Sequence, residues 1–349
     1  MIKNIRQISQ QLANPVFDNP KDLVAWMGAI QGQDYTMSKW AVGIRLKNPS
    51  LKAVEEAFNR GEILRTHVMR PTWHLVAAED IRWMIGLSGK RIRNAWGSID
   101  KEWGVDEKLL NKCNKQLEKI LEGKNLTKQE VAIELERAGI LRDTSWVNRF
   151  TLYAEAEGII CSGADKNKKP TYALLEERVA PCRVLDKDES LAKLATMYFR
   201  SHSPASLNDF VWWSGLPITE ARRAIVLIEE EIIKDRFDSQ DLFIHQSHAN
   251  DVALGDSLHL LPPYDEYLIS YKNRIDVLDA EHHPKAFTNY GIFYPVILYN
   301  GKVAGNWKKT VKKKEITIES SFFDKKLKVN KKLLKAAEEK YIKFLYENE

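Results

Sequence analysis

The chain has 349 residues, 44% hydrophobic and 29% charged, with a formal net charge of +5. This composition excludes a disordered chain, and the length exceeds what one ordinary core requires, so several domains are expected. No apolar run approaches the ~20 residues that span a bilayer, no apolar leader core follows Met1, and three widely spaced cysteines form neither a disulfide framework nor a metal-ligand pattern. A cytoplasmic protein without metal, cofactor or membrane contact is therefore expected.

Ile5, Ile8 and Leu12 recur at helical spacing and predict a first helix that stops before Pro15. Asp22 is expected to cap a second, with Leu23, Trp26, Met27 and Ile30 on one face and Gly32 at its left-handed end. Gln31 and Gln33 bracket that glycine. Within a helix they would point roughly 200° apart, so their amides share a space only where the backbone leaves helical geometry. The plain alternative is two solvated glutamines beside a helix cap.

Leu51, Val54, Ala57 and Phe58 mark a further helix ending at Gly61. The period then changes to two: Leu64, Thr66 and Val68, then Trp73, Leu75 and Ala77, predict a hairpin. Arg70, Thr72 and His74 alternate and are expected on one side of a strand. They could line a cleft, with Arg70 on phosphate and His74 supporting a glutamine, or His74 could be a satisfied core histidine.

The same grammar returns twice. Leu109, Leu110, Leu117 and Ile120 mark a helix, Thr127-Lys128-Gln129-Glu130 reads as a capping box, and Trp146, Phe150, Leu152 and Tyr153 belong to a third helix. A hairpin follows whose basic tip carries Lys166, Lys168 and Lys169. The third round holds a helix with Leu191, Leu194 and Tyr198, one with Trp212 and Trp213, and one bearing Arg222 and Arg223. Helix-helix-helix-hairpin repeated at about 90 residues suggests a tandem array. The aromatics Trp146, Trp212 and Trp213 read as core.

From residue 256 strands dominate, with Asn300-Gly301 as a type I′ turn signal, and a last helix starts near Asn330. The expected fold is α+β, mostly α. Three tandem winged-helix domains (1–100, 101–182, 183–250) precede a small antiparallel β-barrel or sheet with a terminal helix (251–349). Asp265, Glu266 and Arg274 form a charged cluster there, readable as acid–base chemistry or as a salt bridge bracing the barrel. Residues 301–349 carry 14 lysines against 7 acids on an otherwise near-neutral chain, which suits a polyanion partner or simply a solvated helix. His282-His283 lacks partner spacing for a metal.

Several segments together resemble the AlkZ-type DNA glycosylase family of winged-helix proteins. They are residues 30–35 (Ile-Gln-Gly-Gln-Asp-Tyr), 65–75 (Arg-Thr-His-Val-Met-Arg-Pro-Thr-Trp-His-Leu), 260–267 (Leu-Leu-Pro-Pro-Tyr-Asp-Glu-Tyr), 291–295 and 300–307. The resemblance spans nearly the whole chain. It implies excision of alkylated bases, including some interstrand crosslinks, by hydrolysis of the N-glycosidic bond. The family signature of glutamine, one residue, then glutamine or aspartate falls on Gln31 and Gln33. Gly32 is smaller than the residue usually between them, and Asp34 is one position late for the aspartate form, though it stands as a rival base.

The chemistry narrows this further. An amide cannot take a proton usefully, but it can orient water and donate to sugar or base. A two-glutamine site therefore suits leaving groups already carrying charge, such as N7-alkylpurines. Lys166, Lys168, Lys169, Arg222 and Arg223 are expected phosphate contacts, which position without selecting the lesion. No lysine adjoins the motif except Lys39, so monofunctional action is expected. The expected partner is double-stranded DNA containing alkylated bases, met by a monomer. The rival readings are a non-catalytic DNA-binding protein or transcriptional regulator, and a protein-interaction scaffold.

Overall fold

In a computed structural model, the structure describes residues 1–141, 143–237, 240–248, 253–312 and 315–346. About half of it is helical, and four small antiparallel sheets are distributed along the chain.

The first unit contains α1 (Ile2–Ser9), α2 (Pro20–Met27), β1 (Ile30–Gln31), α3 (Tyr35–Gly43), α4 (Leu51–Arg60), β2 (Ile63–His67) and β3 (Trp73–Ala77). Its first helix ends earlier than the apolar spacing suggests, because Gln11 and Asn14 adopt left-handed backbone. The second differs at both ends. Asn19, not Asp22, is its cap, accepting from the Lys21 amide ahead of a proline at the first helical position. Gly28, at φ 75°, ends it, four residues before Gly32. The chain is then free to enter a sheet of order β1-β3-β2, in which Gln31 pairs with His74.

The second unit runs α5 (Ile81–Asn94), α6 (Gly97–Trp103), α7 (Glu107–Leu121), β4 (Leu126–Thr127), α8 (Lys128–Arg137), α9 (Val147–Ala156), β5 (Ile160–Ser162), β6 (Thr171–Leu174) and α10 (Leu175–Arg178). Its capping box is present, with Thr127 and Glu130 satisfying each other's backbone amides. The third runs α11 (Lys187–His202), α12 (Leu207–Ser214), α13 (Ile218–Leu227), β7 (Ile232–Phe237) and β8 (Gln240–His245).

The C-terminal part has β9 (Leu258–Leu261), the short helices α14 (Glu266–Ile269) and α15 (His283–Ala286), β10 (Val296–Tyr299), β11 (Lys302–Lys312), β12 (Glu315–Phe322) and α16 (Lys331–Tyr346). Asn300 and Gly301 both have positive φ and join β10 to β11. The strands order β12-β11-β10-β9. The sheet is open, not a barrel: among the described residues β9 and β12 are edges that never pair, and α16 packs beside the sheet. Tyr341 and Phe344 of α16 meet Trp40 of α3 at 5.0 Å ring separation, and Tyr341 also meets Trp307 at 5.1 Å. Gly43 permits this approach, since a Cβ there would lie 2.3 Å from the Phe344 ring. One apolar core therefore runs continuously from the first unit into the C-terminal sheet. No described helix is long and apolar enough to cross a membrane.

Candidate active site

Pairing with β3 holds Gln31 in extended backbone, buried, at the seam between the first unit and the C-terminal part. Its amide N–H donates to Oε1 of Glu266 at 2.5 Å. Its side-chain Oε1 accepts from the Gly32 amide at 3.1 Å, an amide that also donates to the Trp73 carbonyl at 2.7 Å. The Gly32 carbonyl in turn accepts from Arg65 Nε at 2.8 Å. Arg65 lies over the Trp73 ring at 4.2 Å, and burial pushes its guanidinium below its ordinary pKa. A Cβ at Gly32 would stand 3.3 Å from Leu75 and 3.4 Å from the Trp73 carbonyl, so a small residue suits the close approach of β1 to β3.

Gln33, past the end of β1, is exposed. The two amides therefore do not share one enclosed space: one is inside and one is at the solvent edge. Asp34 is the N-cap of α3, its carboxylate accepting from the Met37 amide at 2.9 Å. That bond occupies one of its oxygens in a structural task.

Arg70, Thr72 and His74 are brought together by a different geometry from the expected alternation. Only His74 is on a strand; Arg70 and Thr72 lie in the tight turn between β2 and β3, after Met69 at φ 61°. The Thr72 carbonyl lies 2.9 Å from His74 Nδ1, which must donate because a carbonyl only accepts. His74 Nε2 is then left as acceptor, 3.4 Å from Arg70 Nη2. Burial, and secondarily the Arg70 charge, push the His74 pKa down to about 3, so the imidazole is neutral. Burial also lowers the Arg70 pKa.

The acidic cluster is partnered otherwise than expected. Asp265 takes a two-pronged ion pair from Arg45 at 2.7 and 2.8 Å, both fully buried. Arg274 donates instead to the Leu268 carbonyl and lies 4.9 Å from the Phe287 ring centre. Glu266 is fully buried and also accepts from Ser270 Oγ and from Trp213 Nε1 at 3.2 Å. Burial opposes its charge, but its donors and His202 outweigh burial and bring its pKa to about 2. Trp213 is core, Trp146 stacks on Trp103, and Trp212 is exposed instead of buried.

Of the expected phosphate contacts, Lys168 and Lys169 are exposed, while Lys166 is paired with Glu130 and Arg223 with Asp188 at 2.7 Å. Asp165 in the same tip binds Tyr35 Oη and Lys39 Nζ of the first unit, so this hairpin docks inward at its base. Lys39 is buried between Asp165 and Glu55, at 3.1 and 2.9 Å. Arg222 lines a groove of about 640 Å³ with Lys234, Arg236 and Lys272. Sequence reasoning passed over these three, although Lys234 and Arg236 stand two apart on one strand, the signal of a shared face. Arg65 and Glu266 were missed as partners of the glutamine segment, for their contacts are entirely tertiary. Among the described residues no three His, Cys, Asp or Glu side chains gather as metal ligands.

The model of the family described as "DNA glycosylase AlkZ-like" matches residues 24–344. A curated relative, an interstrand DNA cross-link repair glycosylase of Streptomyces sahachiroi, is 21% identical over 313 residues, covering 82% of this chain and 81% of its own. The solved structure of the DNA glycosylase AlkZ of Streptomyces sahachiroi superposes with a TM-score of 0.82 at 19% identity, over 98% of this chain and 95% of that one.

Proposed function

The chain belongs to the AlkZ-like DNA glycosylase family, and from that premise we propose that it excises cationic N7-alkylpurines from duplex DNA, with Gln31 and Gln33 as its catalytic residues. The observation that carries this reading is the clamped Gln31-Gly32-Gln33 backbone, with one amide enclosed and its neighbour open to solvent.

The two amides divide the work. Gln31 Oε1 is occupied by the Gly32 amide, so the Gln31 NH₂ is the group free to donate to the sugar or base. Gln33 is free to orient water through its carbonyl. Water attacks C1′ as the C1′–N9 bond breaks. The bonding electrons pass to the purine and cancel its positive charge, so the base leaves neutral without being protonated. The attacking water gives its proton to solvent, leaving an abasic sugar and the free alkylated base. Normal purines, which need protonation to leave, are excluded by the lack of an acid at the two amides. The exposure of Gln33 leaves room for a bulky or crosslinked lesion without a closed flipping pocket.

Around this site the three helix-and-hairpin units are read as winged helices gripping the backbone through Lys166, Lys168, Lys169, Arg222 and Arg223. Arg70, with His74 behind it, is the phosphate contact nearest the glutamines, and Thr72 fixes His74 through its carbonyl. The action is monofunctional, since Lys39 is buried in two ion pairs and is not available as a Schiff-base nucleophile. The test is incubation of the protein, as a monomer, with a duplex carrying N7-methylguanine, scoring free base and alkali-labile sites. Release of N7-methylguanine without strand cleavage is the expected result. Salt-sensitive binding with the lesion intact would replace this reading with a non-catalytic DNA-binding protein.

A further inference from the structure

The candidate glutamines carry no charge, yet a carboxylate stands directly behind them. We propose that Glu266 is a positioning residue that fixes Gln31 and sets a negative charge against the Gln31 peptide, behind the candidate glutamines. This rests on the glycosylase reading above.

Three observations carry it. Glu266 reaches Gln31 from 235 positions along the chain, and its Oε1 accepts the Gln31 amide at 2.5 Å, the backbone bond that orients the side chain. Its other oxygen is held by Ser270 Oγ and Trp213 Nε1, so the carboxylate has no freedom to turn away. Its ion-pair neighbour among the described residues is His202, at 3.6 Å, whose imidazole burial holds below its ordinary pKa. Neighbouring Asp265, by contrast, is neutralised outright by Arg45.

A buried carboxylate carries a large desolvation cost, met here on both oxygens by three donors and by His202. The backbone points the same way. Tyr264, two residues earlier, is held at φ 59°, a conformation costly for an aromatic residue. That strain lies in the turn that delivers Glu266 to β1. As the C1′–N9 bond breaks, positive charge collects on the sugar. A fixed negative charge in a dry setting favours that charge without reorganising.

The experiment compares wild-type protein with Glu266→Gln and Ser270→Ala in single-turnover release of N7-methylguanine, duplex affinity, thermal unfolding, and the amide proton shift of Gln31 in ¹⁵N-glutamine-labelled protein. Glu266→Gln keeps the shape and one acceptor but removes the charge. It should slow release about 10- to 100-fold, leave duplex affinity within about threefold, and move the Gln31 resonance upfield. Ser270→Ala, a milder change for use if Glu266→Gln does not fold, should slow release several-fold in the same pattern. A folded Glu266→Gln releasing base at the wild-type rate overturns the proposal, as does loss of rate only in step with loss of stability. If wild-type protein releases no base, the glycosylase reading falls, and the Gln31 resonance alone decides: moved in either variant it supports Glu266 as the anchor, unmoved it overturns it.

Discussion

The hairpin β2–β3 of the first unit and the hairpin β7–β8 of the third are similar in length and opposite in burial. Of the ten residues in β2 and β3, only Arg65 and Trp73 are not fully buried. Of the six in β7, Ile232 alone is. The first pair gains β1 on the free edge of β3, α2 against both strands, and β5 and α9 beside β2. The second packs β8 against α11 and leaves β7 facing solvent, carrying Lys234 and Arg236 outward. A strand enclosed on both edges can hold polar groups away from water in one geometry, because each must find a partner there. His74, Gln31 and Glu266 are such groups. An exposed ribbon can only offer charges, which attract a backbone without specifying chemistry. One hairpin plan thus encloses polar groups in one place and exposes charges in another.

The largest effect should come from the enclosed side. Asp265→Ala leaves Arg45 buried without its partner and should cost about 3–5 kcal/mol of stability, read by urea unfolding near neutral pH; an unchanged midpoint would show that the enclosed ion pair carries no stability. Next, Gln31→Ala should slow single-turnover release about 100- to 1,000-fold with duplex affinity retained. Gln33→Ala should do less, since its amide is solvated, and a double variant of undiminished rate would acquit the motif.

A pH titration sharpens the same contrast. His74 is buried and His259, on β9, is half-buried, and desolvation pushes each pKa down to about 3. Between there and the unfolded value of about 6.5 the unfolded chain binds more protons, so stability rises with pH. It should be complete above about pH 7 and fall on acidification by up to ~1.4 kcal/mol per pH unit for each histidine. Urea midpoints at pH 7.5, 6 and 5 check this, and a flat series would contradict it. The smallest effect belongs to the ribbon. Lys234→Ala or Arg236→Ala should weaken binding to any duplex and flatten its salt dependence by about one unit, with the release rate at saturation unchanged.

Much of the local structure was legible in the residues. The Thr127–Glu130 capping box, the Asn300-Gly301 turn and the strands around Leu64 and Leu75 follow from side-chain chemistry within a few positions. Gln31 and Gln33 stood out because a glycine between two glutamines suits a chain leaving a helix. The helix in fact ends at Gly28, and it is strand pairing that extends the segment. The candidate site was legible as a list of residues and not as an arrangement. Arg70 and Thr72 meet His74 through a turn, where alternation does not apply, and the charged cluster at Asp265 and Glu266 divides between Arg45 and Gln31.

The sequence by itself determined caps, turns, the alternation of helices and hairpins, and the absence of a carboxylate between the two glutamines. All of these depend on neighbours within about one helical turn. Only the tertiary structure decided that the last sheet stays open under α16, that Gln31 is enclosed while Gln33 is not, and that Glu266 lies behind Gln31. Periodicity records which face of an element is apolar, but it carries no information about which distant residue will cover that face. The carboxylate that accepts from the Gln31 amide reaches it across 235 residues of chain, a distance that only packing can close.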